Sequence, residues 1–103
     1  MPSDIMDANL IHKALASSVR RDILAWLKTP GEAFAQERIE FGQGVPSNAI
    51  QARSGLSQST VSAHLAVLVE AGLLISTRVG PFVLMSRNEH VIRSFVTHMH
   101  ASL

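Results

Sequence analysis

The chain has 103 residues, of which 47% are hydrophobic and 17% are charged, and this balance is typical of a single globular domain rather than a disordered segment. It contains no cysteine, which excludes disulfides, thiolate metal ligands and thiol redox switches. The sequence has neither a secretory signal pattern nor an apolar run approaching the ~20 residues of a membrane span. We therefore expect a cytoplasmic protein with no membrane partner.

The formal net charge is +1 and is unevenly distributed. Residues 1–46 carry five basic and six acidic side chains, whereas residues 47–103 carry four arginines and two glutamates. The C-terminal half is therefore +2 and the N-terminal half −1, a weak electrostatic footprint for a protein that binds nucleic acid. Dimerisation would double the positive charge on one surface.

Two short helices are predicted in the N-terminal part. Apolar residues recur at three- and four-residue spacing over about residues 5–15, which predicts a helix with one apolar face. Ser17 or Ser18 is expected to cap a second helix, which ends near Pro30. The inward positions of this second helix are Val19, Ile23, Leu24 and Leu27, and its outward positions are Arg20, Arg21 and Asp22.

Residues 32–45 follow no clear period, and Gly44 and Pro46 indicate a loop at the end of this segment. Phe34 and Phe41 either fill the core, as large aromatic side chains usually do, or line a small-molecule pocket. We expect the first and keep the second as an alternative.

Residues 47–71 predict a helix, a tight turn and a second helix. Ser47 is expected to cap the first helix and Ser57 the second. Gly55 can adopt the left-handed backbone that ends a helix, so it marks the turn. The first helix has one small, apolar face formed by Ala49, Ile50 and Ala52. The predicted buried positions of the second helix are Val61, Leu65, Leu68 and Val69.

The outer face of the second helix is small, uncharged and polar. Short side chains allow a helix backbone to approach the floor of a DNA major groove, and Gln, Ser and Thr bond base edges or phosphates. The same residue types also serve as ordinary helix caps, so the pattern by itself leaves both interpretations open. The candidate DNA-contacting residues of this helix are Gln58, Ser59, Thr60, Ser62, Ala63 and His64.

The period then changes from helical to extended. Residues 73–86 contain two apolar-rich runs joined by Gly80 and Pro81, which is the composition of a β-hairpin. A hairpin directly after a reading helix is a wing, which can contact the neighbouring DNA backbone or minor groove. Arg78 and Arg87 lie at its two ends and are predicted to contact phosphates, unless they are ordinary surface charges.

A final helix is predicted over about residues 88–101. Its apolar residues form two adjacent rows, and an exposed terminal helix of this kind needs an apolar partner. Together with the first helix it could seal a two-fold homodimer, which would place two reading helices on half-sites about 34 Å apart. The predicted dimer contacts are Leu10, Ile11, Val91, Ile92, Phe95, Val96 and Met99.

Three segments resemble those of a known family. They are ALASSVRR at 14–21, GLSQSTVSAHL at 55–65 and EAGLL at 70–74. With the order of the predicted elements, they make the chain similar to the ArsR/SmtB family of bacterial winged-helix repressors, many of which sense metals or metalloids. The resemblance implies that Gly80 forms the wing tip. It also implies that Gln58, Ser59, Thr60, Ser62 and His64 lie at the DNA surface.

Several positions depart from the family pattern. Ala63 and Ala66 stand where relatives often carry basic or amide side chains, and Ile75 and Thr77 stand where relatives often carry arginine. Fewer cationic contacts imply a weaker affinity and a shallower salt dependence than in a typical relative, or readout of DNA shape.

The sensing function of the family transfers less well. Segment 45–54 has no cysteine where many relatives carry a metal-binding pair, so sensing through thiolates is excluded. His90, His98 and His100 are the candidates for a metal site on the last helix, but His98 and His100 point in different directions. We assign no metal site and no cofactor, and any effector acts without thiols.

The sequence therefore predicts one winged helix-turn-helix domain over residues 1–103, mainly helical with a β-hairpin wing, in the order α-α-α-α-β-β-α. The predicted function is a homodimeric regulator of transcription, a repressor that binds an inverted-repeat operator on double-stranded DNA. The alternatives are a winged-helix module that binds proteins and has weak or no DNA binding, and a histidine-based transition-metal sensor. Ser62 and His64 diverge on their helix and form no nucleophile–base pair, so an enzyme is not expected.

Overall fold

The computed structural model describes residues 6–34 and 44–103, which form a winged helix-turn-helix as predicted. In this part of the chain every helix is too short or too polar to span a bilayer. The helices are Ala8–Ala14 (α1), Ser18–Lys28 (α2), Pro30–Ala33 (α3), Ser47–Ser54 (α4), Gln58–Glu70 (α5) and Glu89–Ser102 (α6), and the strands are Val45–Pro46 (β1), Leu74–Val79 (β2) and Phe82–Arg87 (β3).

Four of these helices begin at a polar side chain that caps them. In each, a side-chain oxygen accepts a hydrogen bond from the backbone N–H three residues ahead, which satisfies a donor that the helix cannot. The capping residues are Asp7, Ser17, Ser57 and Asn88. The predicted caps at Ser17 and Ser57 are confirmed. The predicted cap at Ser47 is wrong, because Ser47 is the first residue of α4 and that helix has no side-chain cap.

Two short elements adjoin the segment that the sequence predicts to be irregular. After α2 ends, Pro30 begins the single turn of α3, because the fixed φ of proline suits a first helical turn. Further along, β1 pairs with β3, with Val45 opposite Met85, where a loop was predicted. A two-residue strand has no periodicity that a sequence pattern could reveal.

The sheet joins the wing to the helices. Its strand order is β1-β3-β2 and its pairings are antiparallel. Because side chains alternate along a strand, one face of the hairpin packs inward, where Leu74 and Met85 are buried. The core beneath it draws on every helix but α3 and on the sheet, and its largest fully buried side chains are Ile11, Ile23, Val45, Ile50, Leu68, Leu73 and Val91.

Phe34 and Ala52 differ in burial. Phe34 is 3% exposed and belongs to the core, as expected for a large aromatic side chain. Phe41 lies outside the described residues. Ala52 belongs to the predicted apolar face of the first helix and is exposed, because the short helix α4 turns only Ala49 and Ile50 inward.

Gly44 lies against the central strand of the sheet. Its φ is 121°, and a Cβ added there would lie 2.6 Å from the Met85 carbonyl oxygen. We expect Gly44→Ala to lower the free energy of unfolding by about 2–3 kcal/mol, because the backbone conformation and the neighbouring strand both oppose a side chain. Gly31→Ala is the control, since Gly31 has open space and no left-handed backbone. Urea denaturation measures the difference, and equal stability of the two variants would contradict this packing.

Candidate nucleic-acid interface

The turn between α4 and α5 is held by a left-handed glycine and a serine. Gly55 ends α4 with a φ of 71°, a conformation that favours glycine. Ser54 Oγ donates to the Gln51 carbonyl oxygen at 2.8 Å and accepts from the Leu56 N–H at 3.1 Å. These hydrogen bonds constrain the direction in which α5 leaves the turn.

Helix α5 is buried on one side and exposed on the other. Val61, Leu65 and Leu68 are at most 3% exposed, which confirms the predicted inner stripe. Val69, also predicted there, is half-buried against the core. The outer face is exposed, and its exposed residues are Gln58, Ser59, Thr60, Ser62 and Ala63.

The polar side chains at the start of α5 divide into those that cap the helix and those that are free. Ser57 Oγ accepts from the Thr60 N–H, donates to Thr60 Oγ1 at 2.8 Å and lies 3.4 Å from Ser59 Oγ. In contrast, Gln58 and Ser62 have no side-chain hydrogen-bond partner within the described residues. Capping therefore accounts for Ser57, whereas the donors and acceptors of Gln58 and Ser62 are available to a ligand.

His64 is half-buried and contacts an arginine of α2. Its Nδ1 lies 3.1 Å from Arg20 Nη1, and the same guanidinium donates to the carbonyl oxygens of Ala14 at 2.6 Å and Lys13 at 3.3 Å. A guanidinium has only donors, so Nδ1 accepts and the ring proton resides on Nε2. Arg20 was predicted to point outward. It instead lies against α5 and fixes the tautomer of His64, a role that residues 44 positions apart do not reveal in sequence.

The wing ends in a two-residue loop. Val79 pairs with Phe82, and Gly80 between them has a φ of 59°, which a residue at the first central position of a type II′ hairpin turn requires. Arg78 lies next to this tip and is exposed, and no ion pair engages it within the described ranges. Gly80 and Arg78 therefore lie where the sequence placed them, at the accessible end of the hairpin.

Most arginines around α5 are engaged in contacts within the fold. Arg20 is engaged by two carbonyl oxygens and a histidine. The Arg53 guanidinium lies 5.0 Å from the centroid of the Trp26 ring, a cation–π contact. Arg78 on the wing is thus the arginine of this region that is free of such contacts, among the residues described.

The sequence of this interface is similar to that of known bacterial proteins. The pattern of the bacterial regulatory protein, arsR family, matches residues 50–76, which include all of α5. A protein of Bacillus subtilis (strain 168), named as the uncharacterized HTH-type transcriptional regulator YbzH, is 37% identical over 84 residues, which are 80% of this chain and 84% of that protein. The chain belongs to the arsR family. It is a DNA-binding transcriptional regulator and not an enzyme, as predicted.

Arg87 of this arsR-family protein is engaged inside the fold, so its prediction as a phosphate contact is corrected. Its guanidinium forms two hydrogen bonds with the Glu89 carboxylate, at 2.7 and 3.2 Å, and donates to the Leu24 carbonyl oxygen of α2 at 3.1 Å. Its side chain is only 13% exposed. It also lies at the base of the hairpin, five residues and about 17 Å from Phe82 near the tip.

The predicted dimer residues of this family member fall into three groups by burial: completely buried, half-buried and exposed. Ile11 and Val91 are completely buried within one chain, so they have no surface to offer a partner and their prediction as direct contacts is corrected. Val96 is 59% exposed. Phe95 is half-buried, and its ring meets the His12 ring edge-on at a centroid distance of 5.3 Å, which joins α6 to α1 in the same chain. The half-buried positions are Leu10, Ile92, Phe95 and Met99.

The three histidines of α6 do not form a metal centre within one chain. His90, His98 and His100 are all exposed. Among the residues described, no group of three or more histidine, aspartate or glutamate side chains is arranged to hold an ion. An arsR-type sensor that uses these histidines would need ligands from a second chain.

The Arg87–Glu89 ion pair of this arsR-family regulator is expected to make its stability depend on pH. The hydrogen bond from Arg87 holds the pKa of Glu89 below its ordinary value of 4.5. The pair therefore stabilises the fold above that value, and its contribution disappears as the pH falls through the lowered pKa. We expect Glu89→Gln to reduce the free energy of unfolding at pH 7 by less than about 1 kcal/mol, because the Glu89 side chain is 51% exposed.

Urea denaturation at pH 7 and pH 3 measures this effect. The difference between Glu89→Gln and the unmodified protein is expected to shrink at the lower pH, because the pKa of Glu89 is lowered only in the folded state. Glu32→Gln is the control, since Glu32 is exposed and has no ion pair in the described part of the chain. A deficit that persists unchanged at pH 3 would contradict the assignment.

Proposed function

We propose that this protein represses transcription as a homodimer bound to an inverted-repeat operator, and that an effector that does not act through thiols releases it. In this proposal residues 1–103 act as one domain: α1 and α6 join two copies, α4 and α5 read the DNA, and the hairpin contacts the backbone. The observation that carries the proposal is the outer face of α5, which is exposed, uncharged and supported from behind by a fully packed stripe.

This face is suited to a major groove. Its side chains are short, so the α5 backbone can approach the base edges, and Gln58 and Ser62 offer unused hydrogen-bonding groups. The tautomer of His64 leaves Nε2–H as a donor, which can bond an acceptor on guanine or a phosphate oxygen. We assign the DNA contacts to Gln58, Ser59, Thr60, Ser62, Ala63 and His64 of α5 and to Arg78 and Gly80 of the wing.

The charge distribution predicts how this binding responds to salt. Each phosphate contact releases counterions, so the slope of log affinity against log salt grows with the number of contacting cations. Only Arg78 is a free arginine beside α5 and the wing tip within the described residues. We therefore expect a shallow salt dependence, with hydrogen bonds and DNA shape providing much of the discrimination.

The homodimer is supported by the exposure of α6. Of its 14 residues only Val91 is buried, although the helix carries an apolar row that continues to Val96 and Met99. A helix of this kind gains stability when a second copy covers that row. Two-fold pairing through α6 and α1 would present two α5 helices to half-sites about 34 Å apart.

Titration against DNA tests the function. The purified protein is titrated against duplexes from the intergenic region upstream of its own gene, at two salt concentrations, with unrelated duplex as competitor. A preference of about a thousandfold over competitor is expected for an operator-specific regulator. Equal and weak binding to both duplexes would instead favour the protein-binding module.

Two substitutions distinguish, in the same titration, the contribution of base contacts to DNA binding from the contribution of positive charge. Ser62→Ala is expected to weaken operator binding about tenfold with an unchanged salt slope, because it removes a hydrogen bond and no charge. Arg78→Ala is expected to weaken binding to every duplex and to reduce the salt slope by about 2 for a dimer. Lys28→Ala, an exposed cation at the end of α2, is the control and is expected to change neither quantity. An unchanged slope in Arg78→Ala would remove Arg78 from the interface.

Val96→Asp is expected to dissociate the dimer, because it would bury a carboxylate with no partner charge in the interface. Val96 is preferred to Phe95, whose ring contacts His12 of the same chain. Thr97→Asp is the control, since position 97 is exposed and lies on another side of α6. Sedimentation equilibrium measures the mass and circular dichroism checks the fold. A dimeric Val96→Asp variant would place the interface elsewhere.

A further inference from the structure

An open groove runs along α5 between that helix and the wing. Its volume is about 520 Å³, within the usual range of ligand pockets in proteins. The lining includes Gln58 and Glu70, the first and last residues of α5, which lie about 18 Å apart along a helix. The groove is therefore elongated, with different chemistry at its two ends.

The middle of the groove is apolar. Leu65, Ala66 and Val69 of α5 form one wall, and Val83 and Met85 of β3 form the other. Contact with such a surface does not stabilise a phosphate backbone. An aromatic or aliphatic group that binds there is stabilised, because the contact removes apolar surface from water.

One end of the groove is acidic and the other is polar. Glu70 is the one charged residue of the lining, and its exposed carboxylate forms no ion pair with any described residue. At the other end, Gln58 and Ser62 are shared with a smaller cavity of about 60 Å³ between α4 and α5, which adds Asn48 and Gln51. A carboxylate attracts an ammonium group and repels a phosphate, and the amide and hydroxyl groups can bond a neutral polar substituent.

We propose that this groove is a binding site for an elongated apolar molecule that carries a protonated amine, with the amine at Glu70 and the apolar body between α5 and β3. The occupant follows from charge complementarity with Glu70 and from the length of the groove. The site is distinct from the histidines of α6 and requires no thiol.

The location of the site indicates how a bound ligand would affect DNA binding, and this inference rests on the proposed function. Gln58 and Ser62 line the groove and also belong to the proposed reading face. A ligand bound in the groove lies between α5 and the wing and covers Gln58 and Ser62. Binding of ligand and binding of DNA are therefore mutually exclusive, and the ligand relieves repression by competition.

A matched series of three fluorescent probes tests the site on the protein alone. Dansylcadaverine carries a protonated amine on an alkyl chain, dansyl pentylamide ends in a methyl group, and dansyl aminohexanoate ends in a carboxylate. The amine is expected to bind roughly fivefold more tightly than the neutral probe, the upper range for one exposed ion pair, and the carboxylate is expected to bind most weakly. Backbone amide NMR shifts are expected to centre on Ala66, Val69, Ser76, Val83 and Met85.

Glu70→Gln is the decisive variant. It is expected to abolish the preference for the amine over the neutral probe while leaving the affinity for the neutral probe unchanged. Asp22→Asn is the matched control, since Asp22 is an exposed carboxylate on α2 outside the groove, and it is expected to keep the preference. Equal binding of all three probes, an amine preference that survives in Glu70→Gln, or NMR shifts centred elsewhere would each overturn the assignment.

Competition with DNA is measured separately, at amine concentrations that leave the melting of the free duplex unchanged. If the amine binds the groove but no duplex is bound specifically, the proposed function fails and the site stands. If an operator is bound specifically and the amine does not bind the groove, the site fails and the proposed function stands. Simultaneous binding of amine and operator would overturn the competitive mechanism.

Discussion

Burial of one side of α5 is the constraint on which the other surfaces of this protein depend. Elements α1, α2, α4 and β2 all pack against this helix, and its Leu68 is completely buried. Burial of each aliphatic side chain of that size stabilises the fold by about 1.5–3 kcal/mol. A rotation of α5 about its axis would expose these side chains and lose most of that stabilisation. The same burial therefore determines which residues face DNA and which line the groove beside the wing.

Two arginines hold the elements that surround α5. Arg20 links α2 to α5 through His64, and Arg87 links the base of the hairpin to the Leu24 carbonyl of α2. Both guanidinium groups donate to main-chain carbonyl oxygens, a use for which their several fixed donors are suited. A chain with a net charge of only +1 thus commits part of its positive charge to its own architecture, which leaves the outer surface of α5 nearly neutral.

The neutral outer surface of α5, which we propose reads DNA, and the adjacent apolar groove are compatible with one regulatory scheme. In a protein that binds DNA mainly through charge, a ligand must offset many phosphate contacts in order to release it. Here the proposed contacts are few and lie along α5, so one molecule between α5 and the wing can displace several of them. Direct exclusion needs no change in the proposed dimer and no coupling between distant sites, in contrast to allosteric release.

Local patterns in the sequence determined the positions of the main helices and the hairpin. Apolar spacing, the capping serines Ser17 and Ser57 and the turn glycines Gly55 and Gly80 act over three or four residues, so they can be recognised without the fold. These patterns also indicated which face of α5 is exposed.

Tertiary structure decided what depends on residues distant in the chain. The contact of Arg20 with His64, the ion pair that turns Arg87 inward and the burial of Ile11 and Val91 arise from packing between separate elements, for which no local pattern exists. The strand β1 depends on its pairing with β3, and the groove depends on the distance between α5 and the wing. Periodicity specifies which side of a helix is buried. Only the assembled core determines which elements the buried side contacts and which surfaces lie beside the exposed side.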